Sequence, residues 1–239
     1  MVKAKRSLSQ NFLKDKNICK KIIKNTTIND KIVLEIGPGY GFLTDFIIEK
    51  NPRKLILVEK DFNLIKHLNT KYKNNNNVEI ICLDILNFNL SRFNDLIIIS
   101  NLPYNLSTKI ILYLFNYHKN LSEMILMVQK EVALKFNYNL PKMNKYKFLT
   151  KIVSTYNISF EVSPKVFIPQ PKVKSSVVKF KLNHNKSNLK KANDFSNKIF
   201  KNMRKKIKNN LRLNSNNHLL NMRVNQLSIK ELLEIYNFF

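Results

Sequence analysis

The three glycines of the chain, Gly37, Gly39 and Gly41, all lie in one short loop that directly follows an apolar segment. Glycine is needed where the backbone adopts a positive φ angle or approaches a ligand closely. A strand, a glycine loop and a helix in succession direct backbone N–H groups at a nucleotide. The spacing matches neither the dinucleotide fingerprint nor the P-loop. The loop therefore predicts a different nucleotide-type cofactor site.

Two carboxylates stand where such a cofactor would need them. Glu59 ends the second apolar segment and Asp84 follows the third. A carboxylate at the end of the second strand can accept hydrogen bonds from both ribose hydroxyls. Asp84 is placed to accept a hydrogen bond from an adenine amino group. Each acid alone is typical of a solvated loop, but the two beside the glycine loop favour a cofactor site.

The tetrapeptide after the fourth apolar segment, Asn101-Leu102-Pro103-Tyr104, resembles the motif of enzymes that act on planar amino groups, and its residue types suit that chemistry. The amino nitrogen of adenine is a weak nucleophile because its lone pair is delocalised into the ring. Two acceptors that hold its hydrogens favour a pyramidal, more reactive nitrogen. We predict that these acceptors are the Asn101 side-chain oxygen and the Leu102 carbonyl, which is turned outward ahead of Pro103. Tyr104 offers a face on which an extruded base can stack.

The histidines and cysteines indicate no further chemistry. The four histidines are scattered, and Cys19 and Cys82 lack the spacing of metal ligands, so neither a metal site nor a histidine base is predicted. Cys82 lies in an apolar run and is expected to pack in the core.

Longer strings around these residues carry a specific resemblance. With Glu35 before it, the glycine loop resembles the first motif of the S-adenosylmethionine methyltransferases, and the tetrapeptide resembles the motif of enzymes that methylate planar amino groups. Over nearly its whole length the sequence is similar to the KsgA-type ribosomal RNA adenine dimethyltransferases. The matching strings are 9–13, 35–44, 101–108, 129–133, 167–173 with Ser175 and Ser176, and 204–211.

This resemblance implies a Rossmann-like fold, with a doubly wound, mostly parallel seven-stranded sheet and a small all-α C-terminal domain. It implies S-adenosylmethionine as cofactor and transfer of two methyl groups to each of two adjacent adenosines near the 3′ end of small-subunit ribosomal RNA. By position, the cofactor pocket would contain Asn11, Leu13, Gly37, Gly39, Gly41, Glu59, Asp84 and Asn101. The sequence departs from the family in a glycine-free loop at 139–145 and a short C-terminal region, which affect the RNA-facing surface.

The pattern of apolar residues predicts an α/β fold on its own. Strand segments alternate with helical segments of about ten residues, which implies a parallel sheet covered on both faces. Strands are predicted at 31–36, 54–59, 78–83, 95–100, 124–128 and 177–182, and helices at 15–25, 42–49, 62–72, 108–117 and 130–136. Ser107 or Thr108 is predicted to cap the fourth helix. Three prolines in 164–171 predict an extended loop.

A shift to Asn, Lys and Ser at 183 separates a predicted catalytic domain, 1–182, from a helical RNA-binding domain, 183–239. Apolar residues recur every fourth position from 195 to 211, which predicts one long helix with Asp194 as its cap, and 228–236 predicts another helix. The basic residues on the other face of the long helix are predicted to contact RNA: Lys198, Lys201, Arg204, Lys205, Lys206 and Lys208. The loop residues Phe167, Pro169, Pro171 and Lys172 complete the predicted RNA surface.

The net charge is +26, from 42 Lys and Arg against 16 Asp and Glu. Such an excess indicates a polyanionic partner, nucleic acid first, although abundant Lys, Asn and Ile also suggest an AT-rich coding sequence. Hydrophobic residues make up 44% of the chain. No apolar run approaches the ~18 residues of a membrane span, and the N-terminus lacks a secretory signal. A cytoplasmic, monomeric protein that binds small-subunit rRNA in the pre-ribosomal particle is predicted.

Three alternative functions share much of this pattern. A resistance-type methyltransferase acting on large-subunit rRNA would have the same core. A non-catalytic RNA- or DNA-binding assembly or transcription factor derived from the same fold would not need Asn101 or the glycine loop. A DNA adenine methyltransferase would not need the segment at 167–173. Mapping the methylated nucleotide distinguishes the enzymes, and cofactor titration identifies the binding protein.

Overall fold

The computed structural model describes residues 11–183, 188–213 and 217–239. Contacts along the described chain divide it into two compact units. The first unit comprises the residues up to Ala133 together with Asn157–Asn183, and the second comprises Leu134–Tyr156 and the residues from 188 onward. The predicted domain boundary at 182/183 remains a prediction, but the second unit contains a segment that the sequence pattern assigned to the catalytic domain.

The described chain forms nine strands, seven of which make one sheet. The strands are β1 (Phe12–Leu13), β2 (Ile32–Ile36), β3 (Lys54–Glu59), β4 (Val78–Cys82), β5 (Leu96–Asn101), β6 (Leu121–Gln129), β7 (Ser154–Val162), β8 (Phe167–Ile168) and β9 (Ser175–Leu182). The sheet order is β4-β3-β2-β5-β6-β9-β7, and the first five strands are mutually parallel. Strand β9 is antiparallel to β6. The predicted α/β class and the mostly parallel seven-stranded sheet are confirmed.

The helices of the first unit follow the strands, as the alternating pattern predicts. They are α1 (Lys16–Ile23), α2 (Phe42–Ile48), α3 (Phe62–Lys71), α4 (Ser107–Phe115) and α5 (Lys130–Phe136), the last of which runs into the second unit. Asp15 caps α1 and Asp61 caps α3 through side-chain oxygens. Apolar residues of α1, α2 and α3 pack on the sheet in one core cluster with Val33, Leu55 and Ile97. Strands covered in this way are apolar along most of their length.

Two local predictions are wrong. The residue before α4 is Leu106, which makes no side-chain cap, and Ser107 is already helical with its hydroxyl donating to the Pro103 carbonyl at 2.9 Å. Cys82 is exposed rather than buried. It ends β4, the edge strand of the sheet, so one side of it has no neighbouring strand.

The second unit consists mainly of helices. They are α6 (Lys145–Val153), α7 (Leu189–Lys201), α8 (Ile207–Leu211) and α9 (Ile229–Phe238). Phe148 of α6, Phe195 of α7 and Tyr236 of α9 pack as a ring cluster with centroids 5.1–5.6 Å apart. The sequence pattern missed α6 and β7. Within the described ranges, no helix is both long and apolar enough to cross a membrane.

The predicted single helix from Asp194 to Leu211 is wrong. Helix α7 begins earlier, with Asn188 as its cap, while Asp194 instead forms an ion pair with Lys198 at 2.9 Å. The chain leaves the helix at Asn202 and re-enters one only at Ile207. The Ile207 N–H donates to the Met222 carbonyl at 2.9 Å. In a continuous helix this N–H would instead donate to the carbonyl four residues earlier.

Candidate active site

A cavity opens where β2, β3 and β5 end, and we refer to this end of the sheet as the carboxyl edge. It encloses about 740 Å³, including its opening to solvent. Open α/β sheets bind ligands at this edge. Of the predicted site residues, those that line the cavity are Asn11, Gly37, Gly39, Glu59, Asp84, Asn101, Leu102, Pro103 and Tyr104. Leu13 and Gly41 lie outside the lining, and the roles of all these residues remain predictions.

The glycine loop has the backbone conformation that its composition predicts. The φ angles of Gly37, Gly39 and Gly41 are +62°, +61° and +77°. A Cβ atom on Gly39 would lie 2.8 Å from the Phe12 ring, so that ring occupies the space a side chain would need. A Cβ on Gly37 would meet no described atom within 4 Å, because this residue faces the cavity. Gly37 therefore leaves space for a ligand.

Gly41 serves a different contact. The space that a side chain at Gly41 would need is filled by Tyr72. A Cβ atom on Gly41 would overlap the Tyr72 hydroxyl group. That hydroxyl lies 2.9 Å from the Gly41 carbonyl and 2.7 Å from an Asp45 carboxylate oxygen. The Lys71 ammonium donates to the carbonyls of Tyr40 and Gly41, each at 3.2 Å, and pairs with Asp45 at 2.8 Å. The end of α3 therefore holds the glycine loop from its outer side.

Glu35 lies beneath this loop as a buried acid. Its carboxylate accepts a hydrogen bond from the Thr44 hydroxyl at 2.6 Å. Burial is the main cause that raises the pKa of Glu35 to about 8; the nearby Asp45 and Glu59 act in the same direction, and the Thr44 hydrogen bond opposes the shift. Next to it, the Ser100 hydroxyl donates to the Ile36 carbonyl at 2.6 Å and ties β5 to the start of the loop.

Replacing Glu35 with glutamine should flatten the pH dependence of stability. Between pH 4.5 and about 8 the folded protein holds a proton that the unfolded chain has released. The free energy of unfolding of the parent should therefore fall as the pH rises through this window, and Glu35→Gln should lose that component. Urea unfolding of both proteins at about pH 5.5 and about pH 8.5 measures it. An equal fall in the two proteins would contradict the assignment.

Glu59 is a buried carboxylate at the end of β3. One oxygen accepts from the N–H groups of Lys60 and Asp61 at 2.8 and 2.9 Å, and the other from the Gly39 N–H at 3.4 Å. Burial raises the pKa of Glu59, and these three N–H groups oppose the shift. The long bond to Gly39 leaves the second oxygen able to accept from a ligand hydroxyl at the cavity wall.

Asp84 follows β4 and lines the same cavity as Gly37 and Gly39 of the glycine loop. One of its oxygens accepts from the Leu86 N–H at 3.0 Å, and the other lies 3.8 Å from the Lys60 ammonium. The second oxygen is therefore weakly engaged and suits a ligand donor.

Asn101 ends β5 with one half of its amide engaged. Its Nδ2 donates to the Asn11 carbonyl at 2.8 Å. A carbonyl can only accept, so this bond orients the amide and directs Oδ1 away from Asn11. Oδ1 is buried and accepts no hydrogen bond from any residue that the structure describes. A buried unpaired acceptor is costly, and at a cavity wall it indicates a donor supplied by a ligand.

Tyr104 is oriented by neighbours from two other segments. Its hydroxyl forms a hydrogen bond with Ser175 Oγ at 2.7 Å, and the ring of Phe167 packs edge-on with centroids 6.5 Å apart. Burial raises the pKa of Tyr104. The Leu102 N–H donates to the Met127 carbonyl at 3.1 Å, which fixes the backbone before Pro103. These contacts hold the tetrapeptide in place at the cavity.

A two-stranded ribbon brings the N-terminal and proline-rich segments to this site. Strands β1 and β8 pair antiparallel, with Phe12 opposite Ile168 and Leu13 opposite Phe167. Part of the segment predicted as extended loop is therefore strand, preceded by a short 3-10 helix, Pro164–Val166. Leu13 is buried in the core cluster, which explains its apolar type without a ligand. Of the predicted RNA contacts beyond the ribbon, Pro169 and Lys172 are exposed and Pro171 is half-buried.

Some residues that build the site lie beyond the reach of sequence reasoning. Tyr72 and Lys71 are far from the glycine loop in sequence, and neither belongs to a recognisable motif. Ser175 belongs to a matching string, but its bond to Tyr104 is visible only in three dimensions.

Residues 1–239 match the family described as ribosomal RNA adenine dimethylase. The ribosomal RNA small subunit methyltransferase A of Hydrogenobaculum sp. (strain Y04AAS1) is 36% identical over 243 residues, covering 99% of this chain and 94% of that protein. The protein of the same name from Malacoplasma penetrans (strain HF-2) is 40% identical over 217 residues, covering 87% and 78%.

Two solved structures share the fold. The structure of a dimethyladenosine transferase from Plasmodium falciparum has a TM-score of 0.78 at 22% identity, covering 95% of this chain and 98% of that one. The 23S rRNA methyltransferase ErmE has a TM-score of 0.76 at 18% identity, with the same coverage. Their likeness confirms the Rossmann-like methyltransferase fold. The full-length family match and the identities of the relatives establish that the chain belongs to the ribosomal RNA adenine dimethylase family.

Proposed function

We propose that this protein transfers methyl groups from S-adenosylmethionine to the exocyclic amino groups of two adjacent adenosines near the 3′ end of small-subunit rRNA, giving dimethyladenosines. The observation that carries the proposal is the buried, unpaired Asn101 Oδ1 at the wall of a cavity that also contains Tyr104. The names of the relatives support a small-subunit rRNA substrate. We place the reaction on the pre-ribosomal particle in the cytoplasm, with the enzyme as a monomer.

The cavity suits the cofactor. Gly37 leaves room for a ligand, Glu59 has an oxygen available for ribose hydroxyls, and Asp84 has one available for an adenine amino group. S-adenosylmethionine supplies a methyl group already activated on a sulfonium. Asn11 would contribute to the same pocket because its carbonyl orients Asn101.

The protein then contributes to the chemistry by aligning the adenine and by accepting hydrogen bonds from its amino group. Asn101 Oδ1 accepts a hydrogen bond from one amino N–H of the adenine, and the Leu102 carbonyl accepts one from the other. These bonds strengthen as the nitrogen becomes pyramidal and gains positive charge, so they stabilise the transition state more than the bound substrate. The proton that the incoming methyl group displaces leaves to solvent. Tyr104 stacks on the extruded base and, held by Ser175 and Phe167, keeps it aligned.

Mapping the product tests this proposal. The protein is incubated with methyl-labelled cofactor and, in separate reactions, immature small or immature large ribosomal subunits, and the labelled nucleotide is located. We expect label on two neighbouring adenosines near the 3′ end of the small-subunit rRNA. Label confined to large-subunit rRNA would support the resistance-type alternative, and cofactor binding without transfer to either subunit would support a non-catalytic protein.

We assign RNA affinity to the loop residues Pro169, Pro171 and Lys172 and to the helical unit. Phe167, which was expected to join them, is 2% exposed and packs in the core cluster, so it supports Tyr104 and does not contact RNA. Arg204, Lys205 and Lys206 are all exposed in the turn between α7 and α8. Three basic side chains in succession at a turn can contact several phosphates of one strand. We propose that this turn is a phosphate-binding surface.

Reversing Arg204, Lys205 and Lys206 to glutamate should weaken RNA binding and leave cofactor affinity unchanged. If each side chain neutralises one phosphate, the slope of log K against log salt should fall by about 2. The matched control reverses Lys24, Lys31 and Lys50, which are all exposed. Lys24 follows α1, Lys31 precedes β2 and Lys50 follows α2, so none of them lies at the carboxyl edge where the cavity opens. Filter binding over a range of salt concentrations measures both. Equal losses in the two variants would reject this turn as the RNA surface.

A further inference from the structure

A cluster of three charged residues lies at the carboxyl edge and takes no part in the chemistry above. Lys130 follows β6, Lys174 precedes β9 and Glu161 lies near the end of β7. The Lys130 ammonium is 2.5 Å from one Glu161 oxygen, and the Lys174 ammonium is 3.8 Å from the other. The Lys130 N–H also donates to the Lys174 carbonyl at 3.0 Å, which fixes the backbones of the two lysines side by side.

The cluster is one residue away from the group that orients Tyr104. In the β6–β9 ladder, Gln129 pairs with Ser175, so Lys130 and Lys174 are the next residues outward on the two strands. Ser175 holds the Tyr104 hydroxyl at 2.7 Å. The two lysines therefore lie at the same edge of the sheet as Tyr104, which follows β5.

Stability does not explain this arrangement. The side chains of Lys130 and Glu161 are 45% and 44% exposed, and that of Lys174 is 63% exposed. Exposed ion pairs contribute little to folding because solvent screens them. The hydrogen bond and charge of Lys130 lower the pKa of Glu161, so the carboxylate is ionised at neutral pH. One carboxylate between two ammonium groups leaves an excess positive charge beside the site.

We propose that Lys130 and Lys174 bind backbone phosphates next to the target adenosine and that Glu161 is a resident counterion, which the RNA displaces. This inference rests on the proposed function, since it assumes an RNA strand whose base is extruded onto Tyr104. Contacts to phosphate position a strand without reading its sequence. The same lysines would therefore serve both adjacent adenosines as each in turn enters the site. Glu161 keeps the two ammonium groups extended at the edge before the RNA arrives.

Removing the charge of Glu161 tests the proposal, because it should strengthen RNA binding where most substitutions at a binding site weaken it. A counterion competes with phosphate, so Glu161→Gln should bind RNA more tightly than the parent. Freeing one lysine for one phosphate corresponds to about a fivefold gain at 0.1 M salt, since a single-strand phosphate contributes about 0.7 to the salt slope. Lys130→Met and Lys174→Met should each weaken binding and lower the slope by about 0.7.

Removing any acid makes the protein more basic, so a matched control is needed. Glu79 pairs with Lys54 at 2.7 Å, and their side chains are 40% and 48% exposed, close to the Glu161–Lys130 pair. Lys54 begins β3 and Glu79 is the second residue of β4, which places this pair at the opposite edge of the sheet. Glu79→Gln therefore changes the net charge equally without touching the cavity.

The experiment measures binding of a small-subunit 3′-end rRNA fragment to the parent, Glu161→Gln and Glu79→Gln as a function of salt, with methylation of small subunits by the parent alongside. A gain specific to Glu161→Gln supports the phosphate site. Equal affinities in the two glutamine variants overturn it, whether or not the lysine variants fold. A parent that methylates small subunits in that case leaves the proposed function standing, whereas a parent that neither binds nor methylates rejects both.

Discussion

Replacing Asn101 with alanine should lower the rate of adenosine methylation by about 100- to 1000-fold, or roughly 3–4 kcal/mol in the activation barrier. The loss should appear in turnover rather than in RNA affinity, because the Asn101 oxygen is proposed to accept a bond that strengthens only in the transition state. Its Oδ1 engages no described residue, so its removal breaks no internal bond to that atom. Single-turnover transfer from labelled cofactor to small subunits measures the effect.

The Asn101 variant also loses the bond from Nδ2 to the Asn11 carbonyl, so cofactor affinity and thermal unfolding are measured beside the rate. Tyr104→Phe is the matched comparison. It loses one hydrogen bond, to Ser175, but keeps the aromatic face, and it should therefore retain much of the activity. Methylation by Asn101→Ala at the parent rate would remove Asn101 from the catalytic assignment.

The sequence predicts the part of the site that depends on short segments at strand ends. The glycine loop, Glu59, Asp84 and Asn101 each follow an apolar strand directly, and parallel strands bring their carboxyl ends to one edge. Each of these residues lies at or just after the end of a strand in the sequence. The sequence pattern therefore predicts that they lie together at the cavity. The seven-stranded sheet follows from the same alternation, together with the family resemblance.

Contacts between distant segments could not be predicted in this way. The long helix expected through Leu211 is interrupted because Ile207 bonds to Met222, which the apolar spacing does not reveal. Helix α6 was missed because Lys147 makes its sequence look solvated. That ammonium is instead buried, and it donates to the carbonyls of Leu140, Pro141 and Lys142 at 2.6–3.1 Å. Burial lowers the pKa of Lys147.

The three glycines should respond differently to the same substitution, because different neighbours require them. Gly37→Ala places its Cβ in open space and incurs only the left-handed backbone conformation, which costs about 1–2 kcal/mol. Gly41→Ala incurs that cost and also overlaps Tyr72, which adds about 1–3 kcal/mol of overpacking. In a chain of this length each kcal/mol lowers Tm by about 2–4 °C. Without cofactor, Gly41→Ala should therefore be the less stable variant.

Gly37→Ala should affect cofactor affinity more than stability, since the new methyl group enters the cavity that the cofactor is proposed to fill. Calorimetric titration with S-adenosylmethionine, without added metal, should show a large loss of affinity in Gly37→Ala, although this variant loses less stability than Gly41→Ala. Tyr72→Phe removes the hydroxyl that a Cβ on Gly41 would overlap, although the ring carbons remain 3.0–3.1 Å away. The double variant Gly41→Ala/Tyr72→Phe should accordingly be more stable than the sum of its single changes predicts. Strict additivity would show that Tyr72 is not what requires a glycine at position 41, and the backbone conformation alone would then account for it.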